Sequence, residues 1–461
     1  MKPKYFLALG LLVLGLGSCG ESFFEQYPSN NITEGNFYKT DDDFNQGVVA
    51  CYAKLKTQMS FHLTEIGYRG DENVLESMAV STQNRYDIDH FAETANNGIL
   101  NDIWNAWYNG IYRCNDVLDH MTGAKIANYD KYRGECLFLR SWWYFNLYRV
   151  FGVVPITRTV VTPAAAKLIP RCTEEEMYTL LTEDLAEAAR LLPPTPGPEK
   201  ARVANIAAYT LLAKVYLTFG KPAEAKTALE EAMKNTSYGL ESTTKKVFDV
   251  GNKMNREIIF ALYYNKTNDN GHGYWYSANT DVMADIRNPT PEFKAIYDES
   301  DNRLALIDTY TKIQSNLFAM TKWYDTYDAT YTTQVGNDFP HLRYADVVLM
   351  YAEALAESGG SLGDALEWLN KTRTRAGLDE LTTDEVKSLA EFRRELAAER
   401  GREFALEGHR WFDLVRLGLA VDYFREMGYS LDSHNLIFPI PQNQIEIVNN
   451  PSILWQNPGF N

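Results

Sequence analysis

Cysteine is scarce in this chain: there are five in 461 residues, and none forms a Cys-x-x-Cys pair. That spacing excludes a small disulfide scaffold and a paired-thiol metal or redox motif. Cys51, Cys114, Cys136 and Cys172 are therefore expected to be structural or free. Basic residues are outnumbered, 45 Lys and Arg against 61 Asp and Glu, for a formal net charge of -16. Such a molecule repels phosphate backbones, so nucleic acid is not an expected partner. The seven histidines show no His-Glu-x-x-His or other ligand spacing, which leaves a zinc hydrolase without support; no metal and no cofactor are expected. Beyond residue 19 no apolar run approaches the roughly 20 residues that cross a bilayer, so the remainder reads as soluble and held at a surface.

What the chain does have is apolar and aromatic weight. Hydrophobic residues make up 45% and aromatics 13%, enough to bury at least one large core. Tyr (29) and Trp (9) outnumber Phe (22); such amphipathic rings can stack on flat apolar ligand faces while their polar tips stay wet.

The first residues carry an address. Lys2 and Lys4 precede an apolar run from Phe6 to Leu16, and Leu16-Gly17-Ser18 leads into Cys19. This order reads as a bacterial lipoprotein signal, residues 1–18, cleaved before Cys19. Acyl chains on Cys19 would anchor a soluble domain stably, where a single chain binds only reversibly.

Helical signals dominate the rest. Thr173 and Glu176 form a capping box, after which Met177, Leu181, Leu185 and Ala188 recur at helical spacing until Pro193-Pro194. Residues 193–198 read as a proline-rich linker, with a helix resuming from Ala204 to Phe219. There Tyr209, Leu212, Ala213 and Tyr216, a Gly220-Lys221-Pro222 turn, and Ala225, Leu229 and Ala232 occupy the positions of a tetratricopeptide repeat. A looser copy runs from Tyr344 to Arg373 around Gly359-Gly360. Hairpins of this kind must stack on neighbours. Further helices are expected at Asp41–Gln58, Ile99–Met121, Tyr129–Phe151 and Val386–Leu406, with a short strand within Glu257–Tyr264. The fold expected is mostly α, a tetratricopeptide-like hairpin scaffold with a loop-rich, partly β ligand-binding region. Its divisions are 19–234, a loop-rich insert at 235–340, and 341–461.

Several segments in order resemble the SusD/RagB family. They are Arg140, Trp143-Tyr144-Phe145, Leu147, Phe151-Gly152 and Pro155; Ala201 to Leu217; Leu342 to Val347 with Tyr351 to Leu355; and Leu369-Asn370, Arg373 and Arg375 to Leu378. They continue through Glu399-Arg400, Glu403, Leu406-Glu407-Gly408, Arg410 to Leu414 and Arg416 to the ending Pro439-Ile440-Pro441, Ile445, Asn449-Asn450 and Gln456 to Phe460. The resemblance implies an outer-membrane lipoprotein facing outward, without enzymatic activity, that serves as a lid on a SusC-type TonB-dependent channel. It also implies oligosaccharide capture, with peptide capture as the alternative within the family.

Candidate sites are weighed against structural readings. Glu395, Glu399, Glu403 and Glu407 recur every four residues, but Arg393, Arg394, Arg400, Arg402 and Arg410 surround them; an ion-paired structural helix is the expected reading rather than acid–base chemistry. Gly359-Gly360-Ser361-Leu362-Gly363 matches Gly-x-Ser-x-Gly, yet it falls between two helices, not between the strand and helix a nucleophile elbow requires. A surface-anchored hydrolase therefore has no surviving catalytic group. Ligand-binding candidates are His272, Tyr274, Trp275 and Tyr276 after the turn-forming Asn268-Asp269-Asn270-Gly271, with Asn270 a polar partner, although alternating Tyr-Trp-Tyr equally fits a strand with one face buried. A second set is Arg69, Asp71 and Glu72 with Tyr86 and His90, in a stretch expected to be an exposed polar loop. Trp104, Trp107, Tyr108 and Trp323 are expected in the core.

Overall fold

The computed structural model describes residues 37–72, 83–265, 277–279, 289–314, 317–325 and 336–460. Helices build the frame. The first, α1 (Asp41–Gly67), starts at a capping box in which Thr40 accepts the Asp43 N–H and Asp43 returns a bond to Thr40. It continues nine residues past the expected Gln58. Met59, Leu63 and Ile66 keep the helix facing the core, but buried His62 and Glu65 interrupt the apolar pattern; Glu65 is matched by Arg85 at 2.7 Å. Next come α2 (Gln83–Asp89), α3 (Gly98–Met121) and α4 (Tyr129–Phe151). On α4 the core claims residues all around the helix, from Leu137 to Phe145 without a break, as expected for a helix enclosed by others. Its buried Arg140 is answered by Asp184 through two bonds of 2.8 and 2.9 Å.

The Thr173 capping box opens α5 (Glu174–Leu191) as expected. The first repeat hairpin is α6 (Asn205–Thr218) and α7 (Pro222–Met233), turned at Gly220 with φ +67°, a left-handed conformation that favours glycine. The second is α8 (Tyr344–Glu357) and α9 (Leu362–Arg375), turned at Gly359 with φ +82°. Small residues such as Ala213, Ala225, Ala232, Ala345 and Ala352 are wholly buried, and α7 packs on α8, so the hairpins stack. The later helices are α10 (Leu389–Glu403), α11 (Arg410–Arg416) and α12 (Ala420–Glu426). Ser388 caps α10 by accepting the Glu391 N–H, so this helix is shorter at both ends than the expected Val386–Leu406.

Among the described residues, five short strands lie between the two hairpins. Strand β1 (Ile258–Leu262) pairs antiparallel with β5 (Phe339–Arg343), while β2 (Ser277–Asn279), β4 (Leu317–Met320) and β3 (Tyr310–Gln314) form an antiparallel sheet in the order β2-β4-β3. One continuous apolar core runs from Phe44 to Leu454. Trp104, Trp107 and Trp323 belong to it; Tyr108 is half-buried, its hydroxyl donating to the Pro155 carbonyl at 2.7 Å. Among the described residues Cys51, Cys114, Cys136 and Cys172 are buried and unbridged, and no helix is long and apolar enough to cross a membrane.

Candidate functional site

The buried carboxylates decide first what is not a reactive centre. Glu399 and Glu403 on α10 and Glu407 just beyond it are fully enclosed. Their partners are Arg303, Arg343, Arg375, Arg402 and Lys322, with Asp301 and Glu257 completing the set. That makes five cations against five carboxylates, a closed neutral network. Arg343 alone bridges Glu257 (2.7 Å), Glu403 (2.7 Å) and Glu407 (2.8 Å). These arginines overcome desolvation and hold the Glu403 carboxyl far below its usual range. The ion-paired reading of the column holds for Glu399, Glu403 and Glu407, with half-buried Glu395 outside this network, but most of the partners are not the expected ones. Of the five sequence neighbours only Arg402 serves it. Arg400 pairs with Asp346 and Asp413, Arg393 with Glu357 and Arg410 with Asp71.

Ser361 is the N-cap of α9. Its hydroxyl accepts the N–H groups of Gly363 (3.1 Å) and Asp364 (3.4 Å), the role of a capping serine rather than a nucleophile.

The second candidate set divides in two. Arg69, Asp71 and Glu72 are not on an exposed loop, which corrects the expectation of exposure: Arg69 is wholly enclosed and Asp71 and Glu72 nearly so. Arg69 pairs with Glu93 and lies 3.8 Å over the Phe438 ring. Asp71 accepts Arg410 at 2.9 Å, and Glu72 accepts the Leu406 N–H at 3.0 Å. Their hydrogen-bond partners sit up to 366 residues away in the chain, so local sequence gave no sign that these side chains would be buried and matched. Tyr86 and His90, one turn apart along α2 and just past its end, do reach the surface. Their rings stack at 3.8 Å and 17°, Tyr86 half-buried and His90 exposed. Two tyrosines not singled out from the sequence border this ground: half-buried Tyr423, whose hydroxyl donates to Asp71, and half-buried Tyr429.

Asn270, His272, Tyr274, Trp275 and Tyr276 lie outside the described residues, as does Cys19. The described residues on either side of that stretch are well placed to frame a site. On one side, the Tyr264 hydroxyl donates to the Lys56 carbonyl of α1 at 3.3 Å. On the other, the N–H and hydroxyl of Thr290 both donate to the Asp71 carbonyl, at 3.3 and 3.0 Å. Thr290 thus rests on Asp71, just past the end of α1. Beside the first anchor opens a cavity of about 650 Å³ lined by Val49, Tyr52, Lys56, Pro198, Arg202 and Tyr263, among others, a size typical of small-ligand sites. Tyr263 is 45% exposed and carries the Lys253 ammonium 4.1 Å from its ring centre. The position was legible in the sequence only as the end of a strand. Among the described residues no group of three or more His, Cys, Asp or Glu is placed to hold a metal ion.

Comparison with known proteins bears on what such a frame is. Residues 298–460 match a profile described as the SusD family, and residues 27–217 one described as starch-binding associating with outer membrane. SusD-like protein P2 of Formosa agariphila is 26% identical over 99% of this chain and 100% of its own length. Starch-binding protein SusD of Bacteroides thetaiotaomicron is 33% identical over 31% of this chain and 26% of its own. A solved laminarin-binding SusD-like protein superposes with a TM-score of 0.75 at 24% identity, covering 92% of this chain and 100% of that one. With the two profiles together spanning most of the chain and a relative aligned from end to end, the chain belongs to the SusD/RagB family.

Proposed function

We propose that the protein is a surface lipoprotein of the outer membrane, anchored through acyl chains on Cys19, that captures an oligosaccharide and passes it unaltered to a SusC-type TonB-dependent channel. The observation carrying this reading is the end-to-end likeness to SusD-like proteins, among whose relatives are a laminarin-binding and a starch-binding protein. The frame fits the task. A stiff, ion-locked helical body holds Tyr264 at Lys56 and Thr290 at Asp71, on either side of the segment bearing Tyr274, Trp275 and Tyr276, and further rings are offered by exposed Tyr263 and by half-buried Tyr86 stacked on exposed His90. Sugar C–H faces stack on such rings while Asn270 and neighbouring polar groups take up hydroxyl hydrogen bonds. Capture without turnover is supported by where the chemistry-bearing groups are spent: the Glu399–Glu407 carboxylates on arginines and lysine, Ser361 on a helix cap.

The test is a glycan array probed with the protein lacking its lipid, run beside a peptide pool. Retention of one glycan class that is recovered intact is the expected result; Trp275→Ala should weaken it by about 1–3 kcal/mol if that ring is a stacking platform. Retention of peptides alone, or cleavage of the retained glycan, would replace this reading.

A further inference from the structure

A cavity of about 390 Å³ opens between α4, α6 and α11, on residues that include Tyr148, Arg149, Lys214, Phe412, Arg416 and Ile437. The buried ions behind it form a closed set. Lys214 pairs with Asp346, Arg400 with Asp346 and Asp413, and Arg416 with Asp413 and Glu353. Three cations thus meet three carboxylates. His409 adds no charge, because burial pulls its imidazole well below the usual range, and its Nδ1 lies 3.4 Å from the Lys214 ammonium. Arg149 is a fourth cation with no carboxylate of its own among the described residues. Its Nη2 donates to the amide oxygen of Asn146, and its Nε, closed off from solvent, has no partner.

Arg149 is half-buried, with its Nε turned inward, and a guanidinium so placed gains from a counter-charge on its open side. Its carbon lies 3.9 Å from the Phe412 ring centre and 4.7 Å from that of Phe145; ring faces attract a cation, but they offset only part of the cost of removing it from water. Burial accordingly pulls Arg149 down to about 9, even though Asp413 and Asp346 act in the opposite direction. Two carboxylates line the cavity, and neither is paired with Arg149: Asp413 is held by Arg400 and Arg416, and exposed Glu174 accepts the Tyr148 hydroxyl at 2.7 Å.

We infer that this cavity is an oxyanion-binding site, in which Arg149 receives the carboxylate or sulfate of a small organic molecule whose body occupies the remaining space. The volume is that of a small-ligand pocket rather than of a bare ion site, and an arginine fork suits both groups. The site lies apart from the Tyr263 cavity and does not depend on the reading given above for that region.

Isothermal titration of the lipid-free protein at constant ionic strength, with glucuronate, glucose 6-sulfate and glucose, separates the possibilities. Binding of glucuronate or glucose 6-sulfate, weakened at least tenfold by Arg149→Met and less by Arg149→Lys, is expected, with glucose silent; whichever acid binds names the group. Equal binding by wild type and Arg149→Met, or no binding of either acid, overturns the site. Should Arg149→Met fail to fold, wild-type crystals soaked in selenate decide: an anomalous peak within hydrogen-bonding reach of the Arg149 guanidinium supports the inference, and peaks confined to other places reject it.

Discussion

The indole of Trp143 on α4 fills the space beside Gly110 on α3: a Cβ at residue 110 would lie 2.3 Å from the ring. The glycine lets the two helices close on a wholly buried tryptophan. Two effects compete in Gly110→Ala. Alanine gains about 1 kcal/mol of helix propensity, whereas forcing a methyl group into a filled core costs about 1–3 kcal/mol. With the ring hemmed in, the cost lies toward the upper end of that range, and a net loss of up to about 2 kcal/mol in urea unfolding is expected. Adding Trp143→Phe should make the two changes non-additive, since the smaller ring frees the space. Strict additivity would show that the close approach is not what keeps glycine there.

Arg343 is the hub of the buried ion network, and Arg343→Met leaves Glu257, Glu403 and Glu407 short of a common partner. Breaking a buried ion set on one side costs about 3–5 kcal/mol, because uncompensated charge stays inside. By contrast, Arg393→Met removes a pair with Glu357 whose arginine is 40% exposed, where ion pairs are worth about 0–1 kcal/mol. Chemical denaturation of the two variants should separate them clearly; comparable losses would mean that the network is not a unit.

These contrasts show how far the sequence could be read. Capping residues and alanine spacing sit next to the elements they shape, which is why Thr173–Glu176 and both hairpins were visible in advance. The carboxylate column was visible as well, but its partners were not: Arg303, Arg343 and Arg375 come from other elements, and pairing between distant ions leaves no local periodicity. The same reason hid the fate of Arg69, Asp71 and Glu72, polar side chains that look like a surface loop until Glu93, Arg410 and the Leu406 N–H are folded against them. Tyr263, Tyr423 and Tyr429 gave no signal, because one tyrosine at the end of a strand or helix resembles any other.

Ser361 offers a direct test between two readings of one motif. As an N-cap accepting two backbone N–H groups, Ser361→Ala should cost about 1 kcal/mol of stability and Ser361→Asp almost nothing, because aspartate caps equally well. Ligand retention on the array should be the same in all three proteins. A nucleophile would invert that ranking, with aspartate as damaging as alanine to function and neither measurably affecting unfolding.

Glu72 gives the fold a pH dependence of definite sign. Burial raises its carboxyl to about 8, with the Asp71 charge adding to the effect and the Leu406 N–H opposing it. An unfolded glutamate titrates near about 4.3. Between those values the native protein keeps a proton that the unfolded chain has released. The contribution is therefore complete below the lower value and is lost as the pH rises through the upper one, by up to about 1.4 kcal/mol per pH unit. Glu72→Gln keeps an oxygen for the Leu406 N–H and cannot ionise. Its urea midpoint should decline less than that of wild type between pH 5 and pH 8, so that the two curves converge or cross as alkali is approached. Parallel curves across that interval would mean that Glu72 is already ionised in the native state, and that the space between Asp71 and Leu406 tolerates a second negative charge.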